Sequence, residues 1–262
     1  MERFFENIFR HATDGLQNDS VFFYEMTDST NTRAREYFLG GGDLSYPKLF
    51  VAQRQSAGRG TRGRKFESDS ERGVYFTLLI DESAVAHRDL ITPIAAISVI
   101  EYLHYATGTD KEFYIKWVND VYGSGGKLSG ILSERIVRAT GDAAYAIGIG
   151  INLYKDEYPE SIRDIASSVE ADTGRVIDKR LCVASIAKEL TLLLCCCERD
   201  DVIGRYERNM LKRGTEITVT DGMNNKRGAR ILGVDENLHL IVEYSDGKRA
   251  SLFSADVSVR KR

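Results

Sequence analysis

Three runs between residues 113 and 151 constrain the fold more than anything else in the chain: FYIKWV (113–118), LSGILSERIV (128–137) and AAYAIGIGI (143–151). Each is rich in β-branched and aromatic residues and has the length of a strand. No helical pattern separates them. Parallel neighbours would need crossovers of roughly a dozen residues or more, so these strands are expected to run antiparallel. The segment NDVYGSGGK (119–127) has the glycine and serine of a tight, flexible connection, which makes the strands on either side of it a hairpin.

Upstream, VFFYE (21–25) and KLFVAQ (48–53) read as strands with a helix at 31–39 between them. GVYFTLLI (73–80) reads as another strand, and 90–106 as a helix closed by Gly108. Downstream, 178–197 and 202–211 are expected to be helical, the first amphipathic with apolar residues recurring at three and four. From Gly214 the texture changes to short alternating strands separated by Asp-Gly, Asn-Asn and Asp-Glu-Asn turns, a spacing suited to a small β-barrel. The expected fold class is α+β: a mixed, largely antiparallel sheet flanked by helices over residues 1–213, then a small barrel domain over 214–262. A composition 42% hydrophobic and 29% charged can fill such a core.

A formal net charge of −3 argues against a surface built to hold nucleic acid, which needs many phosphate-neutralising cations. Any basic function must be local, and no nucleic-acid partner is expected. Roughly twenty residues precede the first strand, too few for an independent helix-turn-helix domain. They are broken by charges throughout, unlike a secretory leader. The longest apolar stretches, near 90–100 and 191–197, read as too short to span a bilayer. A cytoplasmic protein without a membrane partner is the expectation. Cys195, Cys196 and Cys197 are consecutive on an expected helix and cannot all face one metal. With Cys182 they are expected to be reduced thiols acting as small core hydrophobes.

Residues 55–66 read QSAGRGTRGRKF. Gly58, Gly60 and Gly63 imitate the G-x-G-x-x-G of a dinucleotide turn, but that turn must open a helix whose N-terminus holds the pyrophosphate. Here a polar, unpatterned RKFESDSERG leads straight into the strand at 73–80. The charge is the better guide: Arg54, Arg59, Arg62, Arg64 and Lys65 lie between residues 51 and 66 with no acid among them. Glycines let the backbone approach a ligand, and arginines offer planar donor forks suited to phosphate or carboxylate oxygens. The loop reads as an anion clamp.

KWVND (116–120), followed after the glycine turn by KLSGILSE (127–134), places two lysines, an amide and a carboxylate at strand ends. With DSTN (28–31), the basic loop, GIGIN (148–152) and DVSVR (256–260) in this order, the chain resembles the biotin protein ligases across nearly its whole length, in the form without an N-terminal DNA-binding domain. The resemblance implies a catalytic domain like that of the class II synthetases followed by an SH3-like barrel. It also implies a reaction. Biotin carboxylate attacks the α-phosphorus of Mg-ATP, giving biotinyl-5′-AMP and pyrophosphate, and a lysine of a biotin carboxyl carrier protein or domain then takes the biotinyl group. Bringing a carboxylate to a triphosphate needs fixed cations and Mg²⁺ to offset repulsion.

By the same resemblance Lys127 and Arg59 are catalytic, and with them Ser29, Thr30, Asn31, Gln55, Gly60, Thr61 and Gly130 contact biotin. Arg62, Arg64, Phe66, Lys116, Asn119, Asn152 and Arg260 are implied at ATP, and Asp120 at Mg²⁺. The family's loop reads G-R-G-R where this chain has Thr61 in the fourth place, which removes a guanidinium from the adenylate site. Phe66 keeps the stacking face of an aromatic often filled by tryptophan. The family includes monomers and dimers formed by sheet pairing, so a homodimer is compatible with the resemblance. Two other functions share it: a lipoate or octanoate ligase or transferase, and a biotin-sensing DNA-binding regulator. The basic loop and KWVND followed by GGKLSGIL favour biotin, and the short N-terminus disfavours the regulator.

Overall fold

The computed structural model describes residues 20–109, 113–253 and 257–261, and only the backbone of Arg62 and of 257–261. The start of the chain, read above as neither leader nor DNA-binding domain, and Asp256 of DVSVR lie outside the described residues.

The chain enters with β1 (Val21–Thr27), α1 (Thr30–Leu39) and β2 (Lys48–Gln55), and the helix is the crossover that lets β1 and β2 pair in parallel. Every later pair in this sheet is antiparallel. It is completed by β3 (Gly73–Asp81), β4 (Tyr114–Lys116), β5 (Asp120–Tyr122), β6 (Lys127–Val137) and β7 (Ala143–Asn152), in the order β1-β2-β3-β7-β6-β5-β4. The mixed, largely antiparallel sheet is as expected. Two corrections fall at its edge. The strand expected over 113–118 is confined to β4, and 119–127, expected to be a flexible connection, contains β5. That strand lies between β4 and β6, so the expected hairpin of the flanking strands is replaced by β4-β5 and β5-β6 pairs. Val121 at the centre of β5 is fully buried, so this residue is drawn into the core, and the turn shrinks to 123–126, where the Gly123 N–H donates to the Gly126 carbonyl at 2.9 Å.

The remaining helices are α2 (Ile91–Thr107), α3 (Val169–Thr173), α4 (Lys179–Cys196) and α5 (Arg199–Asn209). Gly108 closes α2 in the left-handed region, φ 52°, with its N–H donating to the His104 carbonyl. With the 3-10 turn before it, α2 belongs to a 20-residue helical stretch whose most apolar 18-residue window has a mean hydropathy of 1.2, long and apolar enough to cross a membrane, contrary to the reading above. Of its most apolar window, 67% is buried inside the protein, so it serves as a core helix. α4 starts where Asp178 accepts from the N–H groups of Arg180 and Leu181, at 2.8 and 3.0 Å. α5 begins and ends earlier than expected; it stops short of Leu211, whose N–H donates instead to the Ile115 carbonyl. Along α4, Cys182 is buried as expected, whereas Cys196 is exposed and Cys195 half-buried, since successive helical positions point to different sides.

Period-two alternation gives the sheet two unlike faces. Val74, Phe76, Leu78 and Ile80 of β3 and Ile147, Ile149 and Ile151 of β7 pack in one cluster with α2 and α4. Burial of each such side chain favours folding by roughly 1.5–3 kcal/mol, so this face carries most of the stability. On the opposite face α1 covers one end only, where Ala34 and Phe38 sit on Phe50, Leu79, Ile136, Ala144 and Ala146. Further along that face β7 presents Gly148 and Gly150, and the cover is the basic loop.

After α5 comes a second, five-stranded antiparallel sheet of β8 (Glu216–Asp221), β9 (Lys226–Val234), β10 (Leu240–Tyr244), β11 (Arg249–Leu252) and β12 (Val257–Lys261), in the order β11-β10-β9-β8-β12. It fits an SH3-like domain. Ile217, Val219, Ile231, Leu240 and Val242 fill its interior. It meets the first sheet at the turn between β4 and β5, where the Trp117 indole donates to the Leu238 carbonyl at 2.8 Å.

Candidate active site

β1 delivers Asp28 and Ser29 to the start of α1. Burial would push the Asp28 carboxyl up, but the Ser29 N–H at 2.6 Å, the Thr27 hydroxyl at 3.0 Å and Arg33 hold it below the usual carboxylate range. That fixes the first turn of the helix, whose N–H groups and positive dipole end favour an anion nearby. Ser29, Thr30 and Asn31 are buried there, with Gln55 and Thr77. Buried polar groups are costly unless paired, and these are paired in series. The Thr30 N–H donates to Gln55 Oε1 at 2.8 Å, and the Thr77 hydroxyl bridges Thr30 Oγ1 at 2.8 Å and Asn31 Oδ1 at 2.6 Å. Asn31 Nδ2 donates to Glu134 Oε2 at 2.8 Å.

Beside this network the sheet is bare. Gly130 of β6 lies opposite Gly150 of β7, and Gly148 opposite Thr77 of β3. A Cβ on Gly150 would come within 2.5 Å of the Phe66 ring, and one on Gly148 within 2.2 Å of Asn31 Oδ1. The glycines therefore form a trough, and Phe66 and Asn31 occupy the space that side chains would take. The basic loop lies over it. Its 3-10 turn at Thr61–Gly63 is closed by the Arg64 N–H donating to the Thr61 carbonyl at 3.3 Å, and the Gly60 N–H spans it by donating to the Arg64 carbonyl at 2.7 Å. Gly63 adopts φ 71°, a conformation that favours glycine. Arg59 reaches across to ion-pair with Glu134. Arg54 and Lys65 turn away to Asp69 and Glu67, at 2.7 and 3.1 Å, so two of the five loop cations serve the surface.

At the open end Lys127 Nζ lies 2.6 Å from Asp120 Oδ1, both side chains about a quarter exposed. The lysine also stands 5.9 Å from the centre of the Phe66 ring. Asn119 Nδ2 donates to the Ile131 carbonyl at 2.8 Å, which orients the strand end. Ser29, Thr30, Asn31, Gln55, Arg59, Gly60, Thr61, Phe66, Asn119, Asp120, Lys127 and Gly130 all line one cavity. As the loop lies, that cavity encloses about 50 Å³, against ~300 Å³ or more for sites that hold drug-sized molecules.

Other expected site residues stand outside this cavity. Lys116 stacks over the Tyr122 ring at 5.1 Å. Arg64 Nε donates to the Thr61 carbonyl at 3.4 Å, and Asn152 Nδ2 donates to the Ser167 carbonyl at 3.0 Å. The side chains of Arg62 and Arg260 lie outside the described residues; the Arg260 backbone pairs with Thr218 between β12 and β8. Among the described residues no group of three His, Cys, Asp or Glu side chains could hold a metal ion. Thr77, Glu134, Gly148 and Gly150 were not among the expected site residues. Strand parity could have found Glu134, which shares its face of β6 with Gly130, and the glycines alternating with isoleucine in GIGIN mark the trough.

The chain matches the model of the biotin/lipoate A/B protein ligase family over residues 23–152. It is 30% identical over 238 residues to the bifunctional ligase/repressor BirA of Escherichia coli, covering 84% of this chain and 71% of that protein. It is 33% identical over 155 residues to the biotin–[acetyl-CoA-carboxylase] ligase of Paracoccus denitrificans, with 58% and 63% covered. Among solved structures, the Aquifex aeolicus biotin protein ligase in complex with biotin and ATP superposes with a TM-score of 0.78 at 27% identity, covering 93% of this chain and 99% of the other.

Proposed function

The chain belongs to the biotin/lipoate A/B protein ligase family, and from that membership we propose that it joins biotin to a specific lysine of a biotin carboxyl carrier protein or domain through biotinyl-5′-AMP. Relatives named as biotin–[acetyl-CoA-carboxylase] ligases, and a neighbour solved with biotin and ATP, support the enzyme class and both small substrates. The observation that carries the reading is the convergence of Lys127 and Arg59 on a glycine-floored trough at the N-terminus of α1.

In this reading the buried polar series around Thr30, Asn31 and Gln55 receives the ureido ring, whose donors and acceptors would be costly if unpaired. The carboxylate then lies toward Lys127. There one of its oxygens bonds to the α-phosphorus of ATP while the bond from that phosphorus to the pyrophosphate oxygen breaks. Lys127 and Arg59 offset the negative charge gathered at that centre, the usual way in which fixed cations lower such barriers. The acceptor lysine, as free amine, attacks the acyl carbon next; AMP leaves and the amine loses its proton. Arg62, Arg64, Phe66, Lys116, Asn119, Asn152 and Arg260 are proposed around the nucleotide.

Asp120 is the residue that would hold Mg²⁺. A single carboxylate does not make an all-protein metal cage, but it suits an ion that arrives largely ligated by phosphate oxygens; when bound, the metal neutralises phosphate charge.

The test is transfer of labelled biotin to a carrier domain with and without ATP, alongside ATP–pyrophosphate exchange. Exchange that depends on biotin, with ATP-dependent labelling of the carrier, is expected. Exchange that depends on lipoate and ignores biotin would exclude the assignment.

A further inference from the structure

We propose that Glu134 is a positioning residue that fixes Arg59 and Asn31 relative to one another and so seats the basic loop on the trough; this rests on the reading of the trough as the biotin site. Glu134 does not line the cavity. Its side chain is 17% exposed, and its two oxygens serve two different clients. Oε2 accepts from the Asn31 amide at 2.8 Å, and Oε1 pairs with the Arg59 guanidinium. Arg35 stands behind at 3.6 Å from the same Oε1.

The consequence follows from where those clients sit. Asn31 is 3% exposed on the first turn of α1 and is tied through Thr77 and Thr30 to Gln55, the last residue of β2, from which the loop departs. Arg59, four positions further on, is tied to the same network from its other end by Glu134. The root of the loop and its first arginine are thus held by one chain of hydrogen bonds running beneath the trough. A guanidinium has five N–H donors, so holding one carboxylate oxygen still allows it to meet a ligand anion. Only a carboxylate serves both clients: a glutamine could still accept from Asn31, but would turn its own N–H groups toward the guanidinium.

Glu134→Gln keeps the bond to Asn31 and breaks the pair with Arg59. Two measurements read the result: the rate of tryptic cleavage at the loop arginines in unliganded protein, followed by mass spectrometry, and KM and kcat for biotin in ATP–pyrophosphate exchange. Loss of one charge-assisted bond at a partly exposed site is expected to raise KM and the cleavage rate about tenfold each, and to lower kcat as well, because Arg59 also offsets charge at the reacting phosphorus. Glu134→Asp, which keeps the charge, is expected to bring both back toward wild type and serves in place of the glutamine variant if that variant does not fold. Wild-type KM and cleavage in Glu134→Gln would overturn the proposal, as would a fall in kcat with KM unchanged. A wild-type protein without biotin-dependent exchange would overturn the biotin reading alone; faster loop cleavage in Glu134→Gln would still support the positioning role, and unchanged cleavage would still overturn it.

Discussion

On one side of β7, Ile147, Ile149 and Ile151 are 0–2% exposed and locked into the main core. On the other, Gly148 and Gly150 leave room for Asn31 and Phe66 to lie against the sheet, and line the cavity beside them. The same five-residue stretch therefore builds stability on one face and a cavity on the other, and period-two geometry keeps the two roles apart. The lesson is that stability and activity should respond to different, interleaved positions.

Four changes probe that separation. Lys127→Ala, on the cavity side, should lower biotin-dependent pyrophosphate exchange by about 10³-fold. Its melting temperature should stay close to wild type, because a partly exposed ion pair contributes little; a large drop in melting temperature would show that the cavity side also bears load. Ile147→Ala, on the core side, should cost about 2–5 kcal/mol in denaturant unfolding while leaving KM for biotin unchanged in the folded fraction. A shifted KM would break the separation from the other direction. Gly148→Ala is the sharpest probe, since it lies between the two isoleucines: its Cβ would crowd Asn31 Oδ1, and exchange should fall by about 10²-fold through misplacement of that amide, with a stability loss of about 1–3 kcal/mol from overpacking. Thr61→Arg adds a guanidinium to the loop above the trough and should slow escape of the adenylate about fivefold, measured by release of labelled intermediate; unchanged release would mean that another cation already holds it.

Much of this was legible in the residues. Apolar runs rich in β-branched and aromatic residues marked β3, β6 and β7, the glycine after α2 marked its end, and the turn-rich texture after Gly214 marked the second sheet. The polar series of Ser29, Thr30 and Asn31 and the basic loop stand out in the residue order itself. Other features were hidden for physical reasons. β5 is a three-residue strand embedded among turn formers, so its period never accumulates, and only the burial of Val121 reveals it. Strand parity puts Glu134 on the same face of β6 as Gly130 but does not tell what it meets there, which is a loop 75 residues away in sequence. The pairing of Asp120 with Lys127 depends on β5 and β6 being neighbours, which a flexible connection would not have required. Local pattern reports which side a residue faces; what stands on that side is set by tertiary contacts.

The indole bond between Trp117 and Leu238 has a practical consequence. Trp117 is the chain's single tryptophan, it is 8% exposed, and it stands two residues before Asn119 at the rim of the cavity. Its fluorescence is therefore a natural optical gauge of the seam between the two sheets: emission stays blue while the second sheet is seated and moves to the red when water reaches the ring. Titrating the protein with ligand while watching that one band reports, without any label, whether filling the trough is felt at the joint with the C-terminal sheet.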